Sequence, residues 1–277
     1  MRAGGWQEAT SATTSAHGVA GSFADPIDLP EPTQLVDPDA DVAIASLAQS
    51  REAICLTDAM VDRPGPRILF VNRAYLDLFC CDEEDAIGST PRIGQGPLTD
   101  RRVLDRIREH LVEARPVRAQ AINYRLDRTA FRLRWSIDPI RRDGVVVNYL
   151  AHLRDVTVED RMRRRLAALD DLLSAGRAVA EVAGDERDRA VVEALVGSLT
   201  PMLAEIGRAE VRIGAASGAT PAPWFGDVAR PTTTLLPVAG AGSVEVRTHP
   251  DADALVDHLA MREVVTHAEW LLGLPTR

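Results

Sequence analysis

The sequence predicts an α+β protein: a five-stranded antiparallel sheet with helices on one face, a helical linker, and then a smaller α/β domain. Three observations carry this reading. Two short β-rich runs, 53–57 and 67–71, precede a group of helical segments, and three longer β-rich runs follow at 117–125, 130–140 and 145–153. The breaks between those three, Asp127-Arg128 and Arg141-Arg-Asp-Gly144, have the chemistry of hairpin turns, so neighbouring strands run antiparallel. Beyond them Met162, Leu166, Leu169, Leu173 and Gly176 recur at alternating spacings of four and three, the period of a helix with one apolar seam.

Residues 1–40 form a disordered, acidic segment: Ala, Ser, Thr and Gly come first, then a Pro/Asp stretch that cannot bury an apolar face. Asp41 then caps a short helix over 42–49. A Pro/Gly turn separates the first two strands. Arg73 to Phe79 forms a helix and another starts near Asp82. Val103, Leu104, Ile107, Leu111 and Val112 line one side of a longer helix within 99–114. The first domain spans 41–158 and the linker helix 159–180. In the last third, helix 188–206 precedes strands at 210–213, 233–238 and 243–247, with only a loop between 213 and 233, and a closing helix covers 252–272.

Composition narrows the function. The 277 residues carry a net charge of −9, which argues against nucleic acid as a direct partner because phosphate binding needs a basic face. No apolar run is long enough for a membrane span, and no signal-peptide core is present, so a cytoplasmic protein is expected. Three cysteines give no disulfide framework. All 32 cationic side chains are arginine, which excludes a P-loop and a pyridoxal enzyme, both of which need a lysine. No nucleophile elbow, phosphoacceptor box, paired-carboxylate site or metal-ligand spacing is recognisable; His258 and His267 stand nine apart rather than four. The chain is therefore expected not to be an enzyme.

The segment Gly88-Ser-Thr-Pro-Arg-Ile-Gly-Gln-Gly-Pro97 resembles the signature G-x-N-C-R-F-L-Q-G-P of LOV domains, the flavin-binding blue-light sensors of the PAS class. The resemblance continues through Thr99-Asp100, Arg108, Asn123-Tyr124, Phe131, Pro139 and Asp155-Val-Thr157. It implies a PAS fold and an FMN or FAD cofactor, with Arg92 and Arg108 on the flavin phosphate; guanidinium forks suit phosphate oxygens. It further implies Gln95 and Asn123 on the ribityl chain and ring edge, and Thr57 as a pocket-lining residue. Three positions depart from the family pattern. The photoreactive cysteine is Pro91, the second ring-binding asparagine is Leu133, and the signal-transmitting glutamine is Leu153. Trp135 faces the pocket.

Cys55 aligns with a pocket-lining valine of the family, so its thiol is a candidate replacement for the missing photoreactive one; the other reading is a small buried hydrophobe. Cys80 and Cys81 align outside the pocket. Residues 172–272 resemble a shortened GAF domain, on Leu172-Leu-Ser-Ala-Gly-Arg-Ala-Val-Ala180, the strand pair Leu235–Val238 and Gly242–Val246, and Leu259-Ala260. The expected function is a photoreceptor or redox sensor that relays its signal through the linker helix to a GAF-like dimerisation or output module. Its partners are a second copy, giving a homodimer, and a downstream signalling protein. The alternative is a chromophore-free PAS–GAF adaptor for protein–protein interaction. The seam on the linker helix either pairs two copies or packs on its own domain.

Overall fold

In the computed structural model, residues 38–223 and 230–273 are described. Most of the acidic segment expected over 1–40 lies outside them; its last residues already begin helix α1, Pro38–Gln49. The start is earlier than a cap at Asp41 implies because proline is tolerated in a first helical turn, where its missing N–H has no partner to lose.

Strands β1 (Ala53–Asp58) and β2 (Ile68–Val71) are followed by α2 (Arg73–Phe79), α3 (Glu83–Ala86), a 3-10 turn at Pro91–Gly94 and α4 (Arg101–Val112). Then come β3 (Val117–Tyr124), β4 (Ala130–Arg142) and β5 (Val145–Asp155). The five strands form one antiparallel sheet in the order β2-β1-β5-β4-β3. Asn72 ties its start together: the side-chain carbonyl accepts from the Ile54 and Tyr75 amides at 2.9 and 3.0 Å, and its NH2 donates to the Glu52 carbonyl at 2.8 Å.

Alternation sorts the side chains. Cys55, Thr57, Ala121, Asn123, Phe131, Leu133, Trp135, Tyr149 and Leu153 are all buried, and they share the sheet face that packs with Tyr75 and Phe79 of α2. The opposite face is partly covered as well, which helices on one face alone did not anticipate. Ile122, Tyr124 and Ala130 join the apolar core of the second domain, together with Leu98.

That second domain begins inside α5, Thr157–Ala180, which runs on from the sheet's last strand. Its inward positions Ala168, Leu172 and Val179 are buried, while Met162, Leu166 and Leu173 are more than 60% exposed. So most of the seam is not consumed by the chain's own core. Gly176 faces inward, against Leu271. Helix α6 (Asp185–Leu203) leads into β6 (Gly207–Ile213), β7 (Ala216–Ala219), β8 (Thr232–Val238) and β9 (Gly242–Thr248). They form a four-stranded antiparallel sheet in the order β7-β6-β9-β8. β7 falls where only a loop was expected. The closing helix, α7 (His258–Leu271), starts later than expected because a 3-10 turn, Pro250–Leu255, intervenes and rests against β4.

The two domains also meet through a buried ionic cluster on the outer side of β4. Arg132 Nε is 2.7 Å from Asp160 Oδ2 of α5, with both side chains under 5% exposed, and its Nη1 donates to Glu205 after α6. Arg164 reaches the same two carboxylates at 2.6 and 2.8 Å. Two guanidiniums and two carboxylates balance, the condition under which buried charge is tolerated. Burial pushes the Asp160 carboxyl up, but Arg132 and Arg164 outweigh it and hold it below its ordinary value of 3.8.

Candidate functional site

Between the inner face of the first sheet and the helices lies a cavity of about 500 Å³. This is within the range of small-molecule sites. Its wall is apolar and polar where it is buried and cationic where it is exposed. Cys55, Tyr75, Phe79, Trp135 and Leu153 are buried together with Thr57 and Asn123; Gln95 is half-buried; Arg63, Arg92, Arg101 and Arg108, all exposed, ring the mouth.

Local chain geometry explains how the 92–97 segment reaches this wall. A Cβ on Gly94 would lie 2.7 Å from the Phe79 ring and 3.0 Å from Asn123 Nδ2, and one on Gly96 would lie 2.3 Å from the Tyr124 ring. Only glycines let the backbone lie this close to α2 and β3, and Gln95 between them lines the cavity. The segment is then fixed by the Leu98 amide donating to the Tyr124 hydroxyl at 3.1 Å and by the Thr99 hydroxyl donating to the Ile122 carbonyl at 2.8 Å.

Every residue expected to bind the cofactor lines this one cavity: Thr57, Arg92, Gln95, Arg108 and Asn123. Asn123 is 3% exposed, and its Oδ1 has no hydrogen-bond partner. A buried unpaired amide oxygen costs roughly 1–3 kcal/mol. Thr57 turns its hydroxyl to the Asp58 carbonyl at 2.9 Å. Arg92 makes no ion pair among the described residues, and Arg108 reaches only Asp62, at 3.3 Å, a carboxylate 94% exposed.

Pro91, Leu153 and Cys55 line the cavity too. Leu133 is fully buried on the same sheet face, in the apolar cluster with Ala121 and Phe131. Burial pushes the Cys55 thiol up to about 12, so it is protonated at neutral pH. Cys80 is exposed and Cys81 half-buried, and neither reaches the cavity. Sequence reasoning missed Arg63 and Arg101 at the mouth. One sits in the β1–β2 turn and the other opens α4, and neither place carries a periodic signal.

Residues 47–161 match the family model of the PAS fold. This part of the chain has the PAS fold. Across the PAS domain the chain is 30% identical over 121 residues to Protein TWIN LOV 1 of Arabidopsis thaliana, covering 43% of this chain and 30% of that one. It is 31% identical over 155 residues to the Blue-light-activated histidine kinase 1 of Erythrobacter litoralis, covering 53% of this chain and 41% of the relative. Among solved structures, the dark structure of the blue-light photoreceptor Aureochrome1 LOV is 30% identical over 44% of this chain and 87% of that one, with a TM-score of 0.37. The chain thus spans less than half the length of these two curated relatives. No helix among the described residues is long and apolar enough to cross a membrane, and no group of three or more metal-ligating side chains occurs among them.

Proposed function

We propose that this chain is a flavin-binding sensor of the LOV type, a photoreceptor or redox sensor that passes its signal from the PAS domain through α5 to a GAF-like module. The observation that carries it is a single cavity whose wall joins buried aromatic and aliphatic side chains, the polar groups of Thr57, Gln95 and Asn123, and a ring of exposed arginines. An apolar aromatic ring, a hydroxylated chain and a terminal phosphate need these three environments. When bound, flavin supplies blue-light absorption and reversible electron transfer. Arg92 and Arg108 hold the phosphate, Gln95 and Thr57 face the hydroxylated chain, and Asn123 satisfies a donor on the ring edge.

With Pro91 at the place of the family's reactive cysteine, Cys55 is the only sulfur in the cavity wall and takes the role of photoreactive thiol. Leu153 cannot signal by an amide flip, so the change leaves β5 through packing. Leu153 sits opposite Trp135 in the ladder, two residues before Asp155 and four before α5 starts at Thr157. The exposed heptad face of α5 pairs with a second copy to give a homodimer, because a 4-3 apolar stripe matches the knobs-into-holes spacing of another such helix.

The test is the full chain expressed in a flavin-replete host. Yellow protein with near-stoichiometric flavin is expected, and Arg92→Ala with Arg108→Ala should give folded, colourless protein. Folded wild-type protein that remains colourless when flavin is added refutes the reading and leaves the chromophore-free adaptor. Flavin retained by the double variant refutes the assignment of the two arginines.

A further inference from the structure

The segment that brings Arg92 and Gln95 to the cavity also reaches the second domain. Gln95 lines the cavity, whereas Leu98, three residues on, is buried in the second domain's apolar core. Between them the chain crosses β3, the strand at the edge of its sheet. Tyr124 is the side chain over which it crosses. A Cβ on Gly96 would lie 2.3 Å from the Tyr124 ring, and the Tyr124 hydroxyl accepts from the Leu98 amide at 3.1 Å. Tyr124 is itself buried in the second domain's core. Burial holds its hydroxyl well above the ordinary value of 10.0, and a hydrogen bond to Asp251 adds to the rise. The phenol therefore keeps its proton and donates to that carboxylate. Asp251 belongs to the 3-10 turn Pro250–Leu255 of the second domain, and its amide donates to His249 Nδ1 at 3.1 Å. Two hydrogen bonds in series, Leu98 to Tyr124 and Tyr124 to Asp251, thus join the cavity segment to the second domain. A hydroxyl that donates to a carboxylate is polarised and becomes a better acceptor, so the two bonds reinforce each other.

We propose that Asp251 of the second domain, acting through the Tyr124 hydroxyl, is a positioning residue of the PAS cavity. It fixes where the 95–98 segment lies and so sets how tightly the cavity holds its ligand. The two domains then communicate at this contact as well as through α5. Linkage makes the effect run both ways: a ligand seated against Arg92 and Gln95 steadies the turn at 250–255, and loosening that turn weakens the ligand. The inference takes its ligand from the flavin reading above, but the bracing itself is readable in the free protein.

The test compares the full chain with Asp251→Ala, which removes the acceptor, Asp251→Asn, which keeps one in Oδ1, and Tyr124→Phe, which removes the bridging hydroxyl. Hydrogen exchange of the Leu98 amide is followed in the free protein, and FMN is titrated by fluorescence quenching. Asp251→Ala and Tyr124→Phe should each speed Leu98 exchange and weaken FMN binding about fivefold, the small end of coupling between sites. Asp251→Asn should stay near wild type in both, and unchanged exchange in α6 shows that the variants are folded. FMN should slow exchange over 250–256 in wild type and not in Asp251→Ala. Wild-type FMN affinity in Asp251→Ala, or equal losses in Asp251→Ala and Asp251→Asn, overturns the inference and leaves the flavin reading standing. If wild-type protein takes up no FMN, the flavin reading fails and the Leu98 amide decides alone: exchange unchanged by Asp251→Ala overturns the bracing as well.

Discussion

Arg132→Met tests whether the domains are held by the ionic cluster between β4 and α5. The substitution keeps an apolar stem of similar length but removes the guanidinium that lies 2.7 Å from Asp160, where the two side chains are 4% and 3% exposed. Arg164 then serves both carboxylates, at 2.6 Å from Asp160 and 2.8 Å from Glu205, with Arg163 and Gln120 each donating to Asp160 at 3.3 Å. Removing one partner of a buried pair costs about 3–5 kcal/mol. The remaining contacts place this case near the lower end, about 3 kcal/mol. Arg134→Met is the internal control. Its partner Glu159 is 3.2 Å away with side chains 39% and 47% exposed, a surface pair worth below about 1 kcal/mol. In equilibrium urea unfolding followed by far-UV circular dichroism, a slope of about 3 kcal/mol/M turns the Arg132 loss into a midpoint shift of about 1 M. The Arg134 variant should stay within about 0.3 M of wild type. Adding Asp160→Leu and Glu205→Met to Arg132→Met should recover most of the loss, because an apolar replacement of a whole buried ionic group is near neutral. Equal midpoints for the Arg132 and Arg134 variants would refute the reasoning.

Three further outcomes are expected. Blue light should bleach the flavin band reversibly, and Cys55→Ala should abolish the bleaching; wild-type protein that shows only slow photoreduction would make Cys55 an inert core residue. Leu166→Asp with Leu169→Asp should lower the mass seen by light scattering from dimer toward monomer, and an unchanged dimer would move the interface off α5. The Asp160 carboxyl is held below 3.8 in the folded chain, so its contribution to stability is complete above that value and is lost as pH falls further. Acid titration of stability should therefore drop below about pH 4 in wild type and less steeply in Asp160→Asn.

How far the sequence reached depended on whether a residue's neighbours in the chain report its surroundings. β3 and β4 alternate inward and outward residues, so their presence and inner faces were legible from period alone. β7 was not: Ala216-Ser-Gly-Ala219 has no β-branched or aromatic residue, and it is a strand only because it pairs with β6 while Gly218 lies against Val192 and Val196 of α6. The linker helix has two apolar sides, and spacing cannot say which one meets a core. The structure gives that role to Ala168, Leu172 and Val179. Arg92 and Gln95 come to one cavity wall from a contiguous motif around Gly94 and Gly96, which is why the sequence could group them. Arg132 gave no sign at all, since its partners lie 28 and 73 residues away and a lone charge on a strand normally marks a solvated edge.

The apolar contact of Leu98, Ile122, Tyr124 and Ala130 with the second domain's core bears on how the chain could be cut or grafted. A fragment ending at residue 158 would present these side chains to water, together with an Arg132 stripped of Asp160 and Glu205. Swapping the C-terminal part for an unrelated effector would do the same unless the new part brought a matching apolar surface. The two halves share a wall, so they resemble adjoining rooms more than carriages on a coupling. Any chimera built on this chain has to carry that wall with it.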